Sequence, residues 1–497
     1  MRLSRIVTLA ARRSPQMGWA TVAPTGAGHG HEDPEINAIR FDSRAVEPGD
    51  LFVALVGERE DGHGHATAAV EAGAAALLVQ RRLGSVEDPA AFSVPQIIVD
   101  ATRPAMAMLA CALERDPTAE LFAVGITGTN GKTTTTHLAA SILDHAGVAC
   151  GQIGTLTGER TTPESPDLQR RLRAMVDSGF QAVALEVSSH SLVQDRVLGA
   201  RFDVGVFTNL SPDHLDYHGT MESYFAAKAS MFRTGMISSA VVNGDDPWGR
   251  RLADELGERP ALTVRVVTAA DAEDLTCSID GSTFRWRGQQ VRLSIPGRFN
   301  VDNAVAAAEA ARFGGVSDAA IAAGLSAAGQ VPGRFEIVAR ADVATDRPTV
   351  VVDYAHTPDG LTKVLEAVRE LAPAAGIAVV FGCGGDRDRE KRPLMGAAAA
   401  AGADHVIVTS DNPRSEDPDE IIAAIVAGLG PGAGHEVQPD RAEAIGAAIA
   451  GHGAGDVVVV AGKGHEVTQT IGESVLPFDD REVARRAIAA GGAGGDA

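Results

Sequence analysis

Residues 121–138 read LFAVGITGTNGKTTTTHL, and this stretch indicates the fold of the central part of the chain. The apolar run Leu121–Ile126 is typical of a buried strand, and a glycine-rich loop follows it and ends at Lys132 and Thr133. A helix-like segment then continues to about His145. Strand, glycine-rich loop, Lys-Thr and helix are the order of a phosphate-binding loop, in which backbone N–H groups and the helix N-terminus face the phosphates. We predict that Lys132 contacts the outer phosphates and that the Thr133 hydroxyl is a Mg²⁺ ligand.

The loop is a variant of the common phosphate-loop pattern. The strict form G-x-x-x-x-G-K-[ST] requires Gly where Ile126 stands, and Gly125 and Gly128 flank that position instead. The alternative is a glycine-rich turn without a ligand. The order of the elements and the Lys-Thr pair favour the phosphate loop.

Composition limits the classes of function. A chain of 497 residues is too long for one core and suits about three domains. The net charge of −21 argues against a general nucleic-acid-binding protein and against binding to anionic membranes. No apolar run approaches the roughly 18 residues of a membrane span, so we expect no membrane insertion. The four cysteines lack metal or disulfide spacing, which predicts reduced thiols and a cytoplasmic protein.

Lysine is rare in this chain. Only five of the 44 Lys and Arg residues are Lys: 132, 228, 363, 391 and 463. Because Arg serves almost everywhere else, we expect each remaining Lys to lie where a guanidinium cannot replace an amine.

Alternating apolar and helical segments predict an α/β fold with parallel sheets and crossover helices. We expect three domains, at residues 1–101, 102–330 and 331–497, and a disordered tail from Gly491 to Ala497. In parallel sheets, ligands collect at the carboxyl ends of the strands. Expected strands include Ala182–Val187, Val204–Asn209, Ala240–Asn243, Thr349–Asp353, Ala378–Phe381, His405–Thr409 and Asp456–Ala461. Expected helices include Leu168–Ser178, Met221–Phe232, Asn300–Phe313, Thr357–Leu371 and Pro418–Gly428.

Two of these strands end in groups that suit a metal next to phosphate. The strand in QAVALEVSSH ends at Glu186, a carboxylate that we predict to be a Mg²⁺ ligand, although a Glu that merely starts a loop is the alternative. The strand in VFTNLSPDHLDYHG is followed by Asp213 and His214, and Asp216 and His218 lie close behind. His214 is either a metal ligand or a structural histidine.

Lys228 lies among alanines in the helical segment ESYFAAKASMF. A surface lysine whose stem covers apolar side chains is one interpretation. The other is a desolvated amine, which loses its proton readily and can take up CO₂ to form a carbamate that binds Mg²⁺.

Amides and polar loops complete the set of candidate residues. GRFNVDN supplies Asn300 and Asn303 at a helix start, where they either cap the helix or contact an adenine edge. Four polar loops follow apolar strands of the third unit, and we predict that they form one binding face. These loops carry Asp353, Tyr354 and His356; Asp386 to Arg392; Asp411 to Arg414; and Lys463, His465 and Glu466.

Together these motifs closely resemble the Mur ligase family, and the resemblance runs from about Asp42 to Glu482. The motifs that carry it, in the order of the family, are GTNGKTT, EVSSH, NLSPDHLDYHG, AAKASMF, GRFNVDN, GRFE, DYAHTPD, GCGGDRD, DNPRSEDP and AGKGHE. The resemblance implies a Rossmann-like N-terminal domain for a UDP-sugar, a central P-loop ATPase domain, and a Rossmann-like C-terminal domain for an amino acid. The loop Gly57–Gly62 departs from the family pattern.

The resemblance also implies site residues. For ATP it implies Gly128, Thr129, Asn130, Gly131, Lys132, Thr133, Thr134, Asn300, Asn303 and Arg334. For Mg²⁺ it implies Thr133, Glu186, His214 and Lys228, the last as a carbamate (N6-carboxylysine). For the UDP-muramoyl dipeptide it implies Ser43, Thr161, Thr162, Ser188, Gln194 and Arg196. For diaminopimelate it implies Arg387, Asp411, Asn412, Pro413, Arg414, Gly462 and Glu466. Catalytic roles are implied for Lys132, Lys228, Glu186, His214, Asp353 and His356.

The implied activity is an ATP- and Mg²⁺-dependent amide ligation in peptidoglycan precursor synthesis. Meso-diaminopimelate would be joined, through an acyl phosphate, to the D-glutamate γ-carboxylate of UDP-N-acetylmuramoyl-L-alanyl-D-glutamate by a monomeric enzyme. Arg414 favours diaminopimelate, because a guanidinium can bind the distal carboxylate that lysine lacks. Ligation of L-lysine, a folylpolyglutamate-synthetase-like reaction, and a P-loop ATPase that powers motion are the alternatives.

Overall fold

The computed structural model describes most of the chain. The described residues are 1–22, 33–57, 60–84, 93–158, 160–344, 346–430 and 434–490. Two segments discussed above lie wholly or partly outside them: residues 58 and 59 of the Gly57–Gly62 loop, and the tail 491–497.

The first sheet is built from short apolar runs. Its region contains α1 Leu3–Arg13, β1 Ala20–Val22, β2 Ile39–Arg40, β3 Leu51–Val53, α2 Ala66–Glu71, β4 Ala76–Val79, β5 Gln96–Ile98 and α3 Thr102–Leu113. The strand order is β1-β5-β4-β3-β2, and β1 is antiparallel to its neighbour while the other pairs are parallel. Met106 and Leu109 of α3 are buried in the same core as Leu3 of α1, so α3 packs with this sheet.

The second sheet places the phosphate loop at its centre. Its region contains β6 Phe122–Thr127, α4 Lys132–His145, β7 Cys150–Ile153, α5 Ser165–Asp177, β8 Ala182–Glu186, α6 Ser189–Val193, β9 Phe202–Phe207, α7 Leu215–His218, α8 Met221–Arg233, β10 Ile237–Asn243, α9 Pro247–Gly257 and β11 Thr263–Val267. The order is β11-β10-β9-β6-β8-β7, with every pair parallel. Because β6 lies between β8 and β9, the carboxyl ends of these three strands meet at one edge.

A small antiparallel sheet and two helices cover one face of the second sheet. They are β12 Glu273–Ser278, β13 Gly281–Trp286, β14 Gln289–Leu293, α10 Arg298–Phe313 and α11 Asp318–Ala327. Phe284 and Trp286 are buried in one core with the alanines of α10 and with Leu138 of α4. Small side chains on α10 let it approach α4 closely, which carries the start of α10 to the phosphate loop.

The third sheet has β15 Glu336–Ala339 at one edge. The region contains, after β15, β16 Thr349–Asp353, α12 Pro358–Leu371, β17 Ile377–Phe381, α13 Lys391–Gly402, β18 His405–Val408, α14 Pro418–Val426, β19 His435–Val437, α15 Arg441–Ala450, β20 Val457–Ala461, the hairpin β21 Thr468–Ile471 and β22 Ser474–Pro477, and α16 Asp480–Ala490. The order is β15-β16-β20-β17-β18-β19, and only the β15–β16 pair is antiparallel.

The predicted α/β class with parallel sheets is confirmed. The four polar loops of the third unit follow β16, β20, β17 and β18, which are neighbours, so they lie along one edge as expected. Differences are confined to element ends. The helix expected at Leu168 begins at Ser165, because Pro166 suits the first turn of a helix, and the strand expected at Val204–Asn209 is Phe202–Phe207.

Candidate active site

The loop between β6 and α4 needs glycine at two positions. Gly128 and Gly131 have positive φ angles of 151° and 85°. A Cβ on Gly128 would lie 1.9 Å from Thr208 Oγ1, and one on Gly131 would lie 2.3 Å from Asn303 Oδ1. The two glycines therefore permit close packing of the loop against β9 and α10, which no residue with a side chain allows.

Lys132 folds back over its own loop. Its Nζ donates hydrogen bonds to the carbonyl oxygens of Gly128 and Thr129, each at 2.9 Å. Burial lowers the pKa of the Lys132 amine, and the carboxylates of Glu186 and Asp213 oppose that shift. The ammonium thus stands at the loop with carboxylates as its nearest counter-charges.

Glu186, the last residue of β8, is 1% exposed and faces the helix that follows the loop. Its Oε2 accepts hydrogen bonds from Thr133 Oγ1 and Thr155 Oγ1, both at 3.1 Å, and its Oε1 accepts one from the Thr155 N–H. Two of the predicted Mg²⁺ ligands, Thr133 and Glu186, are therefore adjacent. Glu186 is thus a buried group at the end of a strand, and its role as a Mg²⁺ ligand stays a prediction.

Lys228 is 1% exposed, so the surface-lysine interpretation is wrong. Its Nζ donates to Gly128 O at 2.7 Å and lies 4.6 Å from the centre of the Tyr224 ring. Burial, and then the nearby Lys132 ammonium, lower the pKa of Lys228 well below its usual value. This nitrogen lies directly behind the phosphate loop, in surroundings that disfavour the charged form of the amine.

His214 is the more exposed of the predicted metal ligands. Its Nε2 lies 3.4 Å from Asp213 Oδ2, and its ring makes an edge contact with His190 at a centroid distance of 4.9 Å. Burial lowers the pKa of His214 to about 4, and Asp213 opposes the shift, so the imidazole is neutral at pH 7. The described residues contain no group of three or more His, Cys, Asp and Glu side chains placed to hold a metal by themselves.

Asn300 and Asn303 lie inside the first turns of α10 and do not cap it, because Gly297 occupies the N-cap position. Asn300 Nδ2 donates to Pro296 O at 2.7 Å, and Asn303 Oδ1 accepts from Thr135 Oγ1 at 3.3 Å. The capping interpretation is therefore wrong, and both residues line the cavity beside the phosphate loop.

Arg334, Asp353 and His356 come from the third unit. The Arg334 guanidinium lies 4.1 Å from the centre of the Tyr354 ring. Both Asp353 oxygens accept backbone N–H groups, from Phe335 at 2.6 Å and from Ala355 at 2.7 Å. Burial raises the pKa of Asp353, and Arg334 opposes that shift. Burial also lowers the pKa of His356, whose Nδ1 lies 2.9 Å from Tyr354 O.

A cavity of about 520 Å³ brings most of these side chains together. Its walls include the predicted residues Thr129, Asn130, Gly131, Lys132, Thr133, Thr134, Thr161, Glu186, Ser188, His214, Asn300, Asn303, Arg334, Asp353 and His356. Gly128 and Lys228 lie behind the loop rather than in the wall. Ser43, Thr162, Gln194, Arg196 and the seven diaminopimelate residues do not line this cavity.

The predicted dipeptide residues form a cluster beside β8, apart from Ser43. Thr162 Oγ1 donates to Glu186 O at 2.8 Å and accepts from the Ser188 N–H at 3.1 Å. Arg196 Nη1 donates to Thr162 O at 3.0 Å, and its Nη2 donates to Gln194 Oε1 at 2.6 Å. Ser43 lies elsewhere, in a 3₁₀ turn at Ser43–Ala45 of the first sheet.

The predicted diaminopimelate residues lie on loops after β17, β18 and β20. Asp411, Asn412 and Pro413 are buried, whereas Arg387 is exposed. Arg414 adopts a left-handed backbone with φ 53° and donates from Nη1 to Gly385 O at 2.6 Å. Gly462 has φ 117°, and Glu466 is half-buried.

Sequence reasoning missed several side chains of these clusters. The Tyr224 hydroxyl accepts a hydrogen bond from Thr129 Oγ1 at 3.2 Å, and the Tyr224 ring lies under Lys228. The position of Tyr224, four residues before Lys228 on one helix, was a usable signal. The Glu164 carboxylate forms ion pairs with Arg103, Arg160 and Arg196. Its position directly after Thr161, Thr162 and Pro163 was the only local sign that it belongs to this cluster.

The chain is similar to known proteins along most of its length. Three family models match, named Mur ligase family catalytic domain at residues 35–113, Mur ligase middle domain at 126–311, and Mur ligase glutamate ligase domain at 333–464. The chain is also 44% identical over 476 residues to the UDP-N-acetylmuramoyl-L-alanyl-D-glutamate--2,6-diaminopimelate ligase of Synechococcus sp. (strain WH7803), covering 91% of this chain and 94% of that protein.

The chain belongs to the Mur ligase family.

Two further relatives agree with this membership. A ligase with the same name from Geobacillus kaustophilus (strain HTA426) is 45% identical over 483 residues, which is 93% of this chain and 96% of that protein. A solved structure of a UDP-N-acetylmuramoyl-L-alanyl-D-glutamate--2,6-diaminopimelate ligase matches with a TM-score of 0.64 and 36% identity, covering 92% of this chain and 95% of that one. The predictions of this family and of an ATP-dependent ligase are confirmed.

Proposed function

We propose that this Mur ligase joins meso-diaminopimelate to the D-glutamate γ-carboxylate of UDP-N-acetylmuramoyl-L-alanyl-D-glutamate, with ATP as the energy source, in peptidoglycan precursor synthesis. The observation that carries the proposal is the convergence of Lys132, Glu186 and Lys228 on one phosphate loop, where the Lys132 ammonium and the Lys228 amine both donate to the Gly128 carbonyl. Such a site lets two anions, the triphosphate and the substrate carboxylate, approach each other. The names of the relatives support the choice of substrates.

The chemistry proceeds in two steps. The γ-carboxylate attacks the γ-phosphorus of ATP, so an acyl phosphate forms and ADP leaves. The amine of diaminopimelate then attacks the acyl carbon, the amide forms, and phosphate leaves with the amine proton passing to a base. Lys132, whose nearest partners are two carbonyl oxygens, is free to turn its ammonium to the transferring phosphoryl group and to neutralise its developing charge.

The donor set of this site suits Mg²⁺. Thr133 and Glu186 offer adjacent oxygens at 3.1 Å, His214 offers a neutral nitrogen, and Lys228 offers an amine that can become a carbamate. The described residues contain no group of three or more acidic, His or Cys side chains placed to hold a metal. A Mg²⁺ ion at this site would therefore need further oxygen ligands, which phosphate and carbamate groups can supply. When bound there, Mg²⁺ would neutralise phosphate charge and orient the phosphoryl group.

Lys228 is proposed to carry the carbamate. Its neutral amine adds to CO₂ and loses a proton, so a buried neutral group becomes a buried anion that a divalent ion can compensate. Arg cannot undergo this addition, which agrees with a lysine in a chain that otherwise prefers Arg.

We propose that His356, rather than Asp353, accepts the proton from the amine of diaminopimelate. Both Asp353 oxygens are engaged by backbone N–H groups, whereas His356 lines the cavity as a neutral imidazole with one nitrogen directed at Tyr354 O. Asp353 then serves to hold the loop that presents His356.

Arg414 is proposed to select the third residue. Arg414 has a left-handed backbone, and the bond from its Nη1 to Gly385 O holds the guanidinium while leaving further N–H groups for a carboxylate. Diaminopimelate has such a distal carboxylate and lysine has none, so we propose diaminopimelate over lysine.

We also propose domains that follow the three large sheets, at 1–101, 102–330 and 331–497, with one adjustment. Because α3 shares the core of the first sheet, the first boundary is better placed after Leu113. The unpaired cysteines Cys111, Cys150, Cys277 and Cys383 support a reducing, cytoplasmic setting. Among the described residues no helix is both long and apolar enough to cross a bilayer.

The test is phosphate release from ATP with the UDP-muramoyl dipeptide, measured with meso-diaminopimelate, with L-lysine and with no amino acid. We expect strong release only with diaminopimelate, and a mass increase of the dipeptide by one diaminopimelate residue. Equal release with and without an amino acid would instead indicate an ATPase, and faster release with lysine would overturn the role of Arg414.

A further inference from the structure

We propose that Lys463 is a positioning residue of the amino-acid site, whose buried ammonium holds Glu466 and the Arg414 loop in the arrangement that binds diaminopimelate. This inference rests on the proposed function and adds a residue to it. Lys463 lies outside the cavity and is not among the residues that the resemblance implies for diaminopimelate. Lys463 lies between two residues of that set, Gly462 and Glu466, and it is completely buried.

Every N–H of the Lys463 ammonium has a partner in the protein. Nζ donates to Asn412 Oδ1 at 3.1 Å, to Glu466 Oε2 at 3.1 Å and to Thr468 O at 2.6 Å. An ammonium has three donors, so none remains for a substrate. Asp411 Oδ1, at 3.8 Å, adds a second carboxylate to the surroundings of this cation. Lys463 therefore acts on a substrate only through its neighbours.

The contacts of Lys463 determine what Asn412 and Glu466 can do. Asn412 Oδ1 also accepts the Thr470 N–H at 3.0 Å, and its Nδ2 donates to Glu466 Oε2 at 2.8 Å, so the Asn412 side chain is held at both ends of its amide. Glu466 Oε2 thus receives two donors, while Oε1 has no hydrogen-bond donor among the described residues. One carboxylate oxygen is immobilised and the other is left to receive the ammonium of an amino acid.

The same cation connects to Arg414 through the hairpin β21–β22. Lys463 binds the backbone at Thr468, where β21 begins. Two residues further on, Thr470 O accepts the Arg414 N–H at 3.1 Å, and the Gly472 N–H donates to Arg414 O at 2.7 Å. The hairpin thus holds Arg414 in its left-handed backbone. Lys463 therefore positions two groups relative to each other. These are the Glu466 carboxylate, which would bind the ammonium of the amino acid, and the Arg414 guanidinium, which would bind its distal carboxylate.

The geometry also explains why this position is lysine. The three acceptors surround a single nitrogen, whereas a guanidinium presents donors in a planar fork about a longer side chain. A buried cation is costly unless its hydrogen bonds are satisfied, and an uncharged side chain would remove the cation that lies beside Glu466 Oε2 and Asp411.

The experiment uses Lys463→Met, which keeps the length of the side chain and removes its charge, and Lys463→Arg, which keeps the charge and changes the donor geometry. Phosphate release by the full-length enzyme is measured while each substrate is varied in turn. We expect the KM for meso-diaminopimelate to rise about tenfold or more in both variants, as the loss of hydrogen bonds to a charged group predicts. The KM for ATP and the KM for the UDP-muramoyl dipeptide should stay within about twofold.

Arg369→Met is the matched control, because it removes an exposed ion pair with Asp404 in the same unit and touches none of these loops. It should leave all three KM values unchanged. If Lys463→Met does not fold, as judged by its thermal transition, Asn412→Ala tests the same arrangement by releasing Glu466 Oε2, with the same selective rise expected.

An unchanged KM for meso-diaminopimelate in folded variants would overturn the role of Lys463, and so would an equal rise in all three KM values, which indicates general loss of structure. Failure of the proposed function is a separate outcome, since the unmodified enzyme would then show no release that depends on diaminopimelate.

Discussion

At the scale of single residues, burial distinguishes the lysines of this chain. Lys132 is half-buried at the mouth of the phosphate loop, Lys228 is buried against apolar and aromatic side chains, and Lys463 is buried among acceptors. The same group consequently lies in the cavity wall in the first case, in surroundings that disfavour its charge in the second, and among three acceptors in the third. The tertiary surroundings of each amine decide its chemistry.

Lys228→Ala should lower ligation about 100-fold or more, the loss expected when support of a metal-binding site is removed. Because a small carboxylate can occupy the space left by the carbamate, added formate or acetate should restore part of the rate. The rate of phosphate release with all three substrates is the measurement.

Lys228→Arg is the companion variant, since it retains a cation and cannot form a carbamate. It should remain inactive with or without formate. Full activity of either variant in the absence of added anion would refute the carbamate.

At the scale of elements, the phosphate loop is shaped by the helix that packs behind it. The start of α10 lies so close to Gly131 that the Asn303 amide occupies the space of a Cβ. Alanines at 304, 307 and 308 of α10 are buried, and they permit this approach to α4. The phosphate loop, the N-cap of α4 at Gly131 and the start of α10 therefore pack together as one unit.

Gly131→Ala should weaken ATP binding, because it combines a left-handed backbone with a Cβ 2.3 Å from Asn303 Oδ1. We expect the KM for ATP to rise about tenfold and the thermal transition to fall by the equivalent of about 1–3 kcal/mol.

Gly147→Ala is the matched control at the other end of α4. Gly147 also has a positive φ, 81°, but a Cβ there would meet no atom within 4 Å. It should cost about 1 kcal/mol from backbone strain and leave the KM for ATP unchanged. Similar effects of both substitutions on ATP binding would show that strain alone, and not the contact with Asn303, matters.

At the scale of the whole molecule, polar contacts connect segments that are far apart in the chain. Arg441 and Asp480 form a completely buried ion pair that attaches α16 to the third sheet, with distances of 2.7 Å from both Nε and Nη2. Arg441 also donates to Ala461 O, next to the Gly462 loop. Asn130 of the phosphate loop donates to Asp359 of α12 at 3.3 Å, across more than 200 residues.

Arg441→Met should destabilise the protein by about 3–5 kcal/mol, because it leaves Asp480 buried without a partner. Thermal unfolding is the measurement, and the Arg369→Met control should cost only about 0–1 kcal/mol, since that pair is exposed. Combining Arg441→Met with Asp480→Leu should recover part of the loss. A double variant as unstable as the single one would contradict an explanation based on uncompensated charge.

Several features of the site were predictable from the sequence. The strand–loop–helix order fixes where the phosphate loop lies, and Glu186 follows an apolar strand that had to end at the same edge. The rarity of lysine indicated that Lys228 was special. These inferences use residues that are neighbours in the chain, where periodicity, glycine and turn chemistry act directly.

Other features could not be read in this way. The capping role considered for Asn300 and Asn303 was wrong, because Gly297 is the N-cap, Asn300 bonds to Pro296 O and Asn303 contacts Thr135 of α4. Lys463 gave no local sign of its acceptor Asn412, which is 51 residues away.

The amino-acid sequence by itself determined the α/β class, the family and the position of the phosphate loop, because these depend on patterns within short segments. Only the tertiary structure decided that Lys228 meets the Gly128 carbonyl 100 residues away, and that Asn412 supports Glu466 instead of facing outward. The physical reason is that such partners depend on strand order and on the packing of side chains between distant segments, and periodicity along the chain specifies neither.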